Sequence, residues 1–260
     1  MLLAACLAAA APLGAQQPGT FEPKLHQPGK DVQWVPTPAA LVEKMLDLAH
    51  LTPEDRLVDL GSGDGVFVIA AARRGARAWG IEYDGQLVEY AKRKAKEAGL
   101  ESRTKFVRGD IFTTDFSDAT VVTTFLLPSM NFQLRATFLA MKPGTRIVAN
   151  TFGIEGWEPE ERVAIDPCDR WCEGMLWIVP ARVGGTWRTP QGDLVLTQRF
   201  QKFSGTLAQQ PVEGRLRGEE ITFTTGDATY RGRVQGQDMH VSATAGGRSV
   251  EWHARPAPRR

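Results

Sequence analysis

Little in this chain is reactive, and neither sign of charge dominates it. Only 4 of the 260 residues are histidine and 3 are cysteine, so a clustered metal centre has few ligands to draw on. His26, His50, His240 and His253 are scattered without ligand-like spacing, and no metal is expected. Lys and Arg number 31 against 30 Asp and Glu, a net charge of +1, which removes the electrostatic case for a nucleic-acid or acidic-membrane partner. Arg255, Arg259 and Arg260 stand among prolines at the end of the chain and read as a loose tail. Long apolar runs are also missing. The stretch from Leu2 to Leu13 falls short of the ~20 residues a membrane-spanning helix needs, so no transmembrane segment is expected. The remaining composition, 42% hydrophobic and 23% charged, suits a globular protein of one large or two modest domains.

The Leu/Ala run ends in Leu13-Gly14-Ala15, a small-residue pattern that reads as the cleavage site of a secretory leader. No Lys or Arg precedes the run. Leu3-Ala4-Ala5-Cys6 also has the form of a lipobox, but most of the apolar run lies after Cys6, so cleavage after Ala15 is the preferred expectation. Export, to the periplasm, follows from it. Cleavage would leave Cys168 and Cys172, which in an exported chain favour one disulfide over two free thiols.

From Gln16 to Val35 the chain is rich in Pro, Gly and Gln and should be an extended lead-in. Thr37 reads as a helix N-cap with Pro38 in the first helical position, and Leu41, Val42, Met45, Leu46 and Ala49 give that helix an apolar face. Leu57-Val58-Asp59-Leu60-Gly61-Ser62-Gly63-Asp64-Gly65 then joins an apolar strand, an acid, alternating glycines and a helix start. This is how a parallel strand delivers a nucleotide-like ligand to a helix N-terminus. Further strands are expected over 76–81, 105–108, 120–127 and 145–150. Helices are expected over 66–74, from the Asp84 cap to Gly99, and from Phe132 to Met141. The run Lys92, Arg93, Lys94, Lys96 reads as a solvated face. Such alternation predicts an α/β, doubly wound parallel sheet with right-handed crossovers. Beyond about Ala181 the period changes to two. Leu194, Leu196 and Phe200 share a face, as do Ile221 with Phe223, Tyr230 with Val234, and Met239 with Val241 and Ala243. Val250, Trp252 and Ala254 complete a small antiparallel β-meander, a barrel or half-barrel. His240 and His253 fall on its polar face.

The Gly-x-Gly-x-Gly turn two residues after Asp59 resembles that of class I S-adenosylmethionine (SAM) methyltransferases. Glu82 follows by about 20 residues, where a ribose-binding acid is expected, and Asp110 closes the next strand, in place for the adenine edge. From Val35 to about Pro159 the chain resembles protein-lysine methyltransferases related to those acting on ATP synthase c subunit and adenine nucleotide translocase. The resemblance is carried by Val35-Pro36-Thr37-Pro38, the glycine turn, Gly80-Ile81-Glu82, Asp110 and Phe125-Leu126-Leu127-Pro128-Ser129-Met130-Asn131. It departs from that family in the leader and around Cys168 and Cys172, which look like an insertion. The resemblance implies SAM as co-substrate and Thr37, Asp59, Gly61, Ser62, Gly63, Glu82 and Asp110 as cofactor-binding residues. Arg162 to Ile165 and Met175 to Val179 would supply the antiparallel pair that ends such a sheet.

For the acceptor the resemblance implies a protein lysine, with Pro128 and Asn131 as the catalytic candidates. Leu127, Pro128 and Phe152 would wall a pocket favouring a neutral amine, and the Asn131 carbonyl would orient it; the alternative is Asn131 as N-cap before Phe132. No Asn-Pro-Pro-aromatic sequence follows the fourth strand, which argues against methylation of DNA bases. Two rival functions stay open: a small-molecule methyltransferase whose β domain presents an apolar ligand, and an exported SAM-fold binding protein without turnover. The expected organisation is a leader at 1–15, a lead-in at 16–34, the methyltransferase domain at 35–180, the antiparallel β domain at 181–255 and a tail at 256–260.

Overall fold

Buried aliphatic runs separated by glycine turns make the first half of the chain alternate between strand and helix. The computed structural model describes residues 21–258 apart from 30, 246 and 247. It has α1 (Ala39–Leu48), β1 (Arg56–Leu60), α2 (Val66–Arg73), β2 (Arg77–Glu82), α3 (Gly85–Glu97), β3 (Thr104–Arg108), β4 (Val121–Thr124), α4 (Pro128–Ala140), β5 (Arg146–Asn150), β6 (Glu161–Ala164) and β7 (Glu173–Ile178). These strands form one sheet in the order β3-β2-β1-β4-β5-β7-β6. The first five are mutually parallel, and β7 runs antiparallel to both β5 and β6. The expected doubly wound α/β sheet is therefore present, with its antiparallel closing pair.

Alternation along each strand sends side chains to two cores. Leu57, Val121, Val148 and Leu176 meet α1, α2 and α3 on one face. Val58, Val122, Ile147 and Trp177 meet α4 and the segment around Phe116 on the other. The remaining strands are β8 (Gly185–Thr189), β9 (Gly192–Arg199), β10 (Lys202–Leu207), β11 (Gln210–Arg217), β12 (Glu220–Thr225), β13 (Ala228–Gln235), β14 (Asp238–Ala245) and β15 (Arg248–Pro256). They close into an eight-stranded antiparallel barrel, β15 pairing with β8. Its interior is filled by side chains such as Trp187, Phe203, Phe223, Tyr230 and Trp252, which form a third core.

The barrel is fastened to the sheet through residues 157–161. Trp157 stacks on Phe200 with ring centres 5.8 Å apart, and Gln201 Nε2 donates to the Glu158 carbonyl at 2.8 Å. Arg215 pairs with Glu160, and Arg217 pairs with Glu161 at 2.7 Å.

Several local expectations are corrected. Pro38, not Thr37, stands at the N-cap of α1, and Thr37 is turned inward to accept from Asn150 Nδ2 at 3.1 Å. β4 stops at Thr124, and α4 begins at Pro128, four residues before the expected start, because Pro is favoured in the first helical turn. Asn131 is thus inside α4 and is not an N-cap. Phe200 is in a turn with φ +54°, so it leaves the barrel face of Leu194 and Leu196 and packs on Trp157. Arg255 belongs to β15 and pairs with Asp238, so it is not tail. In the basic run, Lys94 pairs with Asp64 at 2.7 Å and Arg93 donates to the Phe21 carbonyl, so that face is only partly solvated. The disulfide joins Cys168 to Cys172 as expected, while the leader at 1–15 lies outside the described residues. No helix among the described residues is long and apolar enough to cross a membrane.

Trp177 ties β7 to the barrel-facing segment, since its fully buried indole donates from Nε1 to the Trp157 carbonyl at 2.8 Å. Replacing it with Phe removes the donor, strands a buried carbonyl and leaves a void. Trp177→Phe is expected to cost about 2–4 kcal/mol in a urea or thermal melt.

Candidate active site

The glycine turn after β1 is held against the end of β2 by hydrogen bonds. Gly61 and Ser62 both donate their N–H groups to the Ile81 carbonyl, at 2.9 and 3.1 Å. Gly63 N–H donates to Glu82 Oε2 at 2.9 Å, and Asp84 N–H donates to the other oxygen, also at 2.9 Å. Gly61 and Gly63 have φ of +74° and +50°, values that cost a side chain energy and glycine little. At Gly63 close approach adds to this, because a Cβ there would sit 2.6 Å from the Trp34 indole nitrogen.

Around this turn lies a cavity of about 460 Å³. Its walls include Thr37, Asp59, Gly61, Ser62, Gly63, Glu82 and Asp110, so every expected cofactor residue is brought to one place. Asp110 accepts from Phe112 N–H at 2.9 Å, which fixes one oxygen at the end of β3. The Ser62 hydroxyl is buried and has no hydrogen-bond partner among the described residues. Of the acceptor candidates, Leu127 and Phe152 line the cavity, whereas Pro128 is exposed at the start of α4 and is not in the wall. Asn131 lies behind the wall, 1% exposed. Its Nδ2 donates to the Phe152 carbonyl at 2.9 Å, and its Oδ1 has no partner among the described residues.

Two parts of the wall escaped the sequence reading. The lead-in folds back on itself between His26 and Trp34, with His26 N–H donating to the Trp34 carbonyl and Trp34 N–H to the Gln27 carbonyl, each at 3.0 Å. Trp34 then covers the glycine turn. The second part is Trp171, beside Cys172, whose ring lies 5.6 Å from Phe125 and 5.5 Å from Phe152. A tryptophan next to each of these otherwise featureless segments was the available signal, but neither segment has a period to place it.

Asp59 dominates the electrostatics. Burial pushes its carboxyl up to about 7; Thr123 Oγ1, donating to it at 2.7 Å, opposes the shift, while the charges of Asp64 and Glu82 add to it. A buried acid beside two further carboxylates, of which Asp64 is already paired with Lys94, favours an ammonium ligand.

The model of the ANTKMT methyltransferase domain family matches residues 59–161. A protein-lysine N-methyltransferase of Saccharolobus islandicus is 38% identical over 138 residues, 52% of this chain and 86% of that protein. The chain belongs to this methyltransferase family. A mouse lysine N-methyltransferase of the ATP synthase c subunit is 38% identical over 40% of this chain and 42% of its own length. The mouse adenine nucleotide translocase lysine N-methyltransferase is 36% identical over 49% of this chain and 56% of its own length, so the chain spans about half the length of these animal relatives. A crystal structure of an RNA methyltransferase from Salinibacter ruber with S-adenosyl-L-homocysteine is 44% identical with a TM-score of 0.54, covering 57% of this chain and 96% of that one.

The protein is a SAM-dependent methyltransferase. The site fits the co-substrate on its own terms: a turn open to close backbone approach, an orphaned buried hydroxyl, a buried carboxylate for the ammonium, and acids at the ends of β2 and β3 for hydroxyl and amino groups. SAM, when bound, supplies a methyl group already activated on a sulfonium. The methyltransferase therefore has to hold, orient and desolvate rather than supply a strong base.

Because the folded-state pKa of Asp59 is raised from 3.8 to about 7, its contribution to stability is complete below about pH 4 and lost as the pH rises through 7. Asp59→Asn keeps an acceptor for Thr123 but removes the buried charge. The variant should melt at a higher temperature than wild type at pH 8 and nearly the same at pH 4, while binding SAM more weakly. Wild-type SAM affinity should rise between pH 6 and 8; titration calorimetry over that range checks the affinities, and scanning calorimetry at pH 4 and 8 checks the melting temperatures.

Proposed function

We propose that the methyl acceptor is a lysine amine of a protein. The observation carrying this reading is the apolar end of the cavity, where Phe125, Leu127, Phe152 and Trp171 line the wall. An ordinary lysine has a pKa of about 10.4 and is unreactive while protonated; an apolar wall penalises the ammonium and favours the neutral amine. The names of the archaeal and animal relatives support the same acceptor. Exposed Tyr83, Phe112 and Leu127 at the cavity's edge suit contact with a macromolecular surface. Against a small apolar acceptor carried by the barrel, the described residues fill the barrel interior with their own side chains, which supports the protein acceptor.

In this reading Glu82, Asp110 and the glycine turn hold the co-substrate, and Leu127 and Phe152 desolvate the amine. Asn131 acts at one remove, fixing the Phe152 backbone through its amide. The test is labelled methyl transfer into a lysate at saturating SAM. Methyl-lysine should appear after acid hydrolysis of the protein fraction. Label recovered only in RNA would replace lysine with the acceptor class of the Salinibacter structure. Asn131→Ala should lower turnover and melting temperature, by about 1–3 kcal/mol of stability, yet leave SAM affinity nearly unchanged.

We further propose that the protein is exported and matures by cleavage after Ala15. The apolar leader and a disulfide suited to an oxidising compartment support this. Mass spectrometry of exported material should find Gln16 at the N-terminus, and an intact leader there would defeat the proposal.

A further inference from the structure

The rings at the apolar end of the cavity come from three separate connections. Phe125 follows β4, Phe152 follows β5, and Trp171 lies between β6 and β7. Their centres are 6.2 Å (Phe125–Phe152), 5.6 Å (Phe125–Trp171) and 5.5 Å (Phe152–Trp171) apart. The two phenylalanines lie within 23° of parallel, and the indole is tilted 60° and 56° to them. All three line the cavity. At these distances the rings pack on one another, and each stays partly exposed, so together they present one aromatic wall to the cavity; a cation is drawn to a ring face within about 6 Å of its centre.

We propose that Phe125, Phe152 and Trp171 form the subsite for the acceptor amine and its methylated forms, and that the loop closed by the Cys168–Cys172 disulfide completes it by placing Trp171. This rests on the lysine-amine reading above. The chemistry suits both sides of the reaction. Before transfer the rings favour a neutral amine by excluding water; afterwards their faces stabilise a methylammonium, whose charge is diffuse and whose methyl groups are apolar.

Two of the rings have their backbones held in place. Phe152 N–H donates to the Asn150 carbonyl at 2.6 Å, and its carbonyl accepts from Asn131. Trp171 adopts φ +60°, a conformation disfavoured for a side chain of its size, and it immediately precedes Cys172. The Cys172 carbonyl accepts from Ile165 N–H at 3.0 Å, just beyond β6, so one end of the loop is tied to the sheet and the disulfide returns the other end to it. The segment lies outside residues 59–161, the stretch matched by the family model. Phe125 and Phe152 lie inside that stretch, so of the three rings Trp171 alone comes from outside it.

The test uses the full oxidised chain with S-adenosylhomocysteine bound, tetramethylammonium as a probe in calorimetry, and a lysine peptide as the turnover substrate. Trp171→Ala should weaken tetramethylammonium binding and raise the peptide KM, each by about tenfold, with SAM affinity within roughly twofold of wild type. Trp171→Phe should recover most of both losses, and Cys168→Ser with Cys172→Ser should reproduce the alanine variant while leaving Trp171 in the chain. If a loop variant does not fold, Phe125→Leu reads the same quantities from a different element. Unchanged probe binding and unchanged peptide KM in folded Trp171→Ala would overturn the subsite while leaving the methyltransferase intact. Should the wild type label no lysine, the lysine reading fails separately. The probe titration then decides alone: loss of binding in Trp171→Ala upholds an ammonium subsite, and equal binding overturns it.

Discussion

The rest of the site depends on the seating of the glycine turn on the end of β2. Two turn amides share the Ile81 carbonyl, and a third is held by the Glu82 carboxylate. The approach is close enough that a Cβ on Gly80 would stand 2.3 Å from Ser62 Oγ. This contact brings an acid from β1 and an acid from β2 to one cavity. Glu82 serves twice, as an anchor for the turn and as a carboxylate on the cavity wall.

That seating has an electrostatic cost. Asp59 is buried behind the turn, near Asp64 and Glu82, with a single hydroxyl donating to it. A carboxylate in that position costs stability in the empty protein as the pH rises through 7, and a cationic ligand beside it would relieve part of that cost. Stability given up in the unliganded state thus reappears as binding, a common arrangement where a site is built for charge.

The barrel has a mechanical relation to the site. Side chains of the described residues pack its core, and residues from its β9–β10 turn and β11 grip the segment 157–161. That segment leads directly into β6, the disulfide loop and β7. Order in the loop carrying Trp171 is therefore linked by a short chain of contacts to the barrel.

Strand and helix alternation, the glycine turn, the placing of Asp59, Glu82 and Asp110 at successive strand ends, and the period-two faces of the barrel were all legible in the amino-acid order. Each is encoded locally, by spacing within one element or by the step from one strand end to the next. The pairing of Cys168 with Cys172 was legible too, because the leader reading left no other cysteine. Tertiary structure alone decided the rest. Trp34 becomes a wall only because Gly63, far along the chain, offers a surface without a side chain. Asn131 turns from a helix cap into a brace for Phe152 because α4 starts at Pro128, and Phe200 leaves the barrel face because Trp157 offers it a stacking partner. The closing of β15 on β8 and the meeting of Phe125, Phe152 and Trp171 join residues with no shared period. Such contacts are selected by the burial of surfaces that exist only after the sheet has formed, and so no local pattern in the sequence records them.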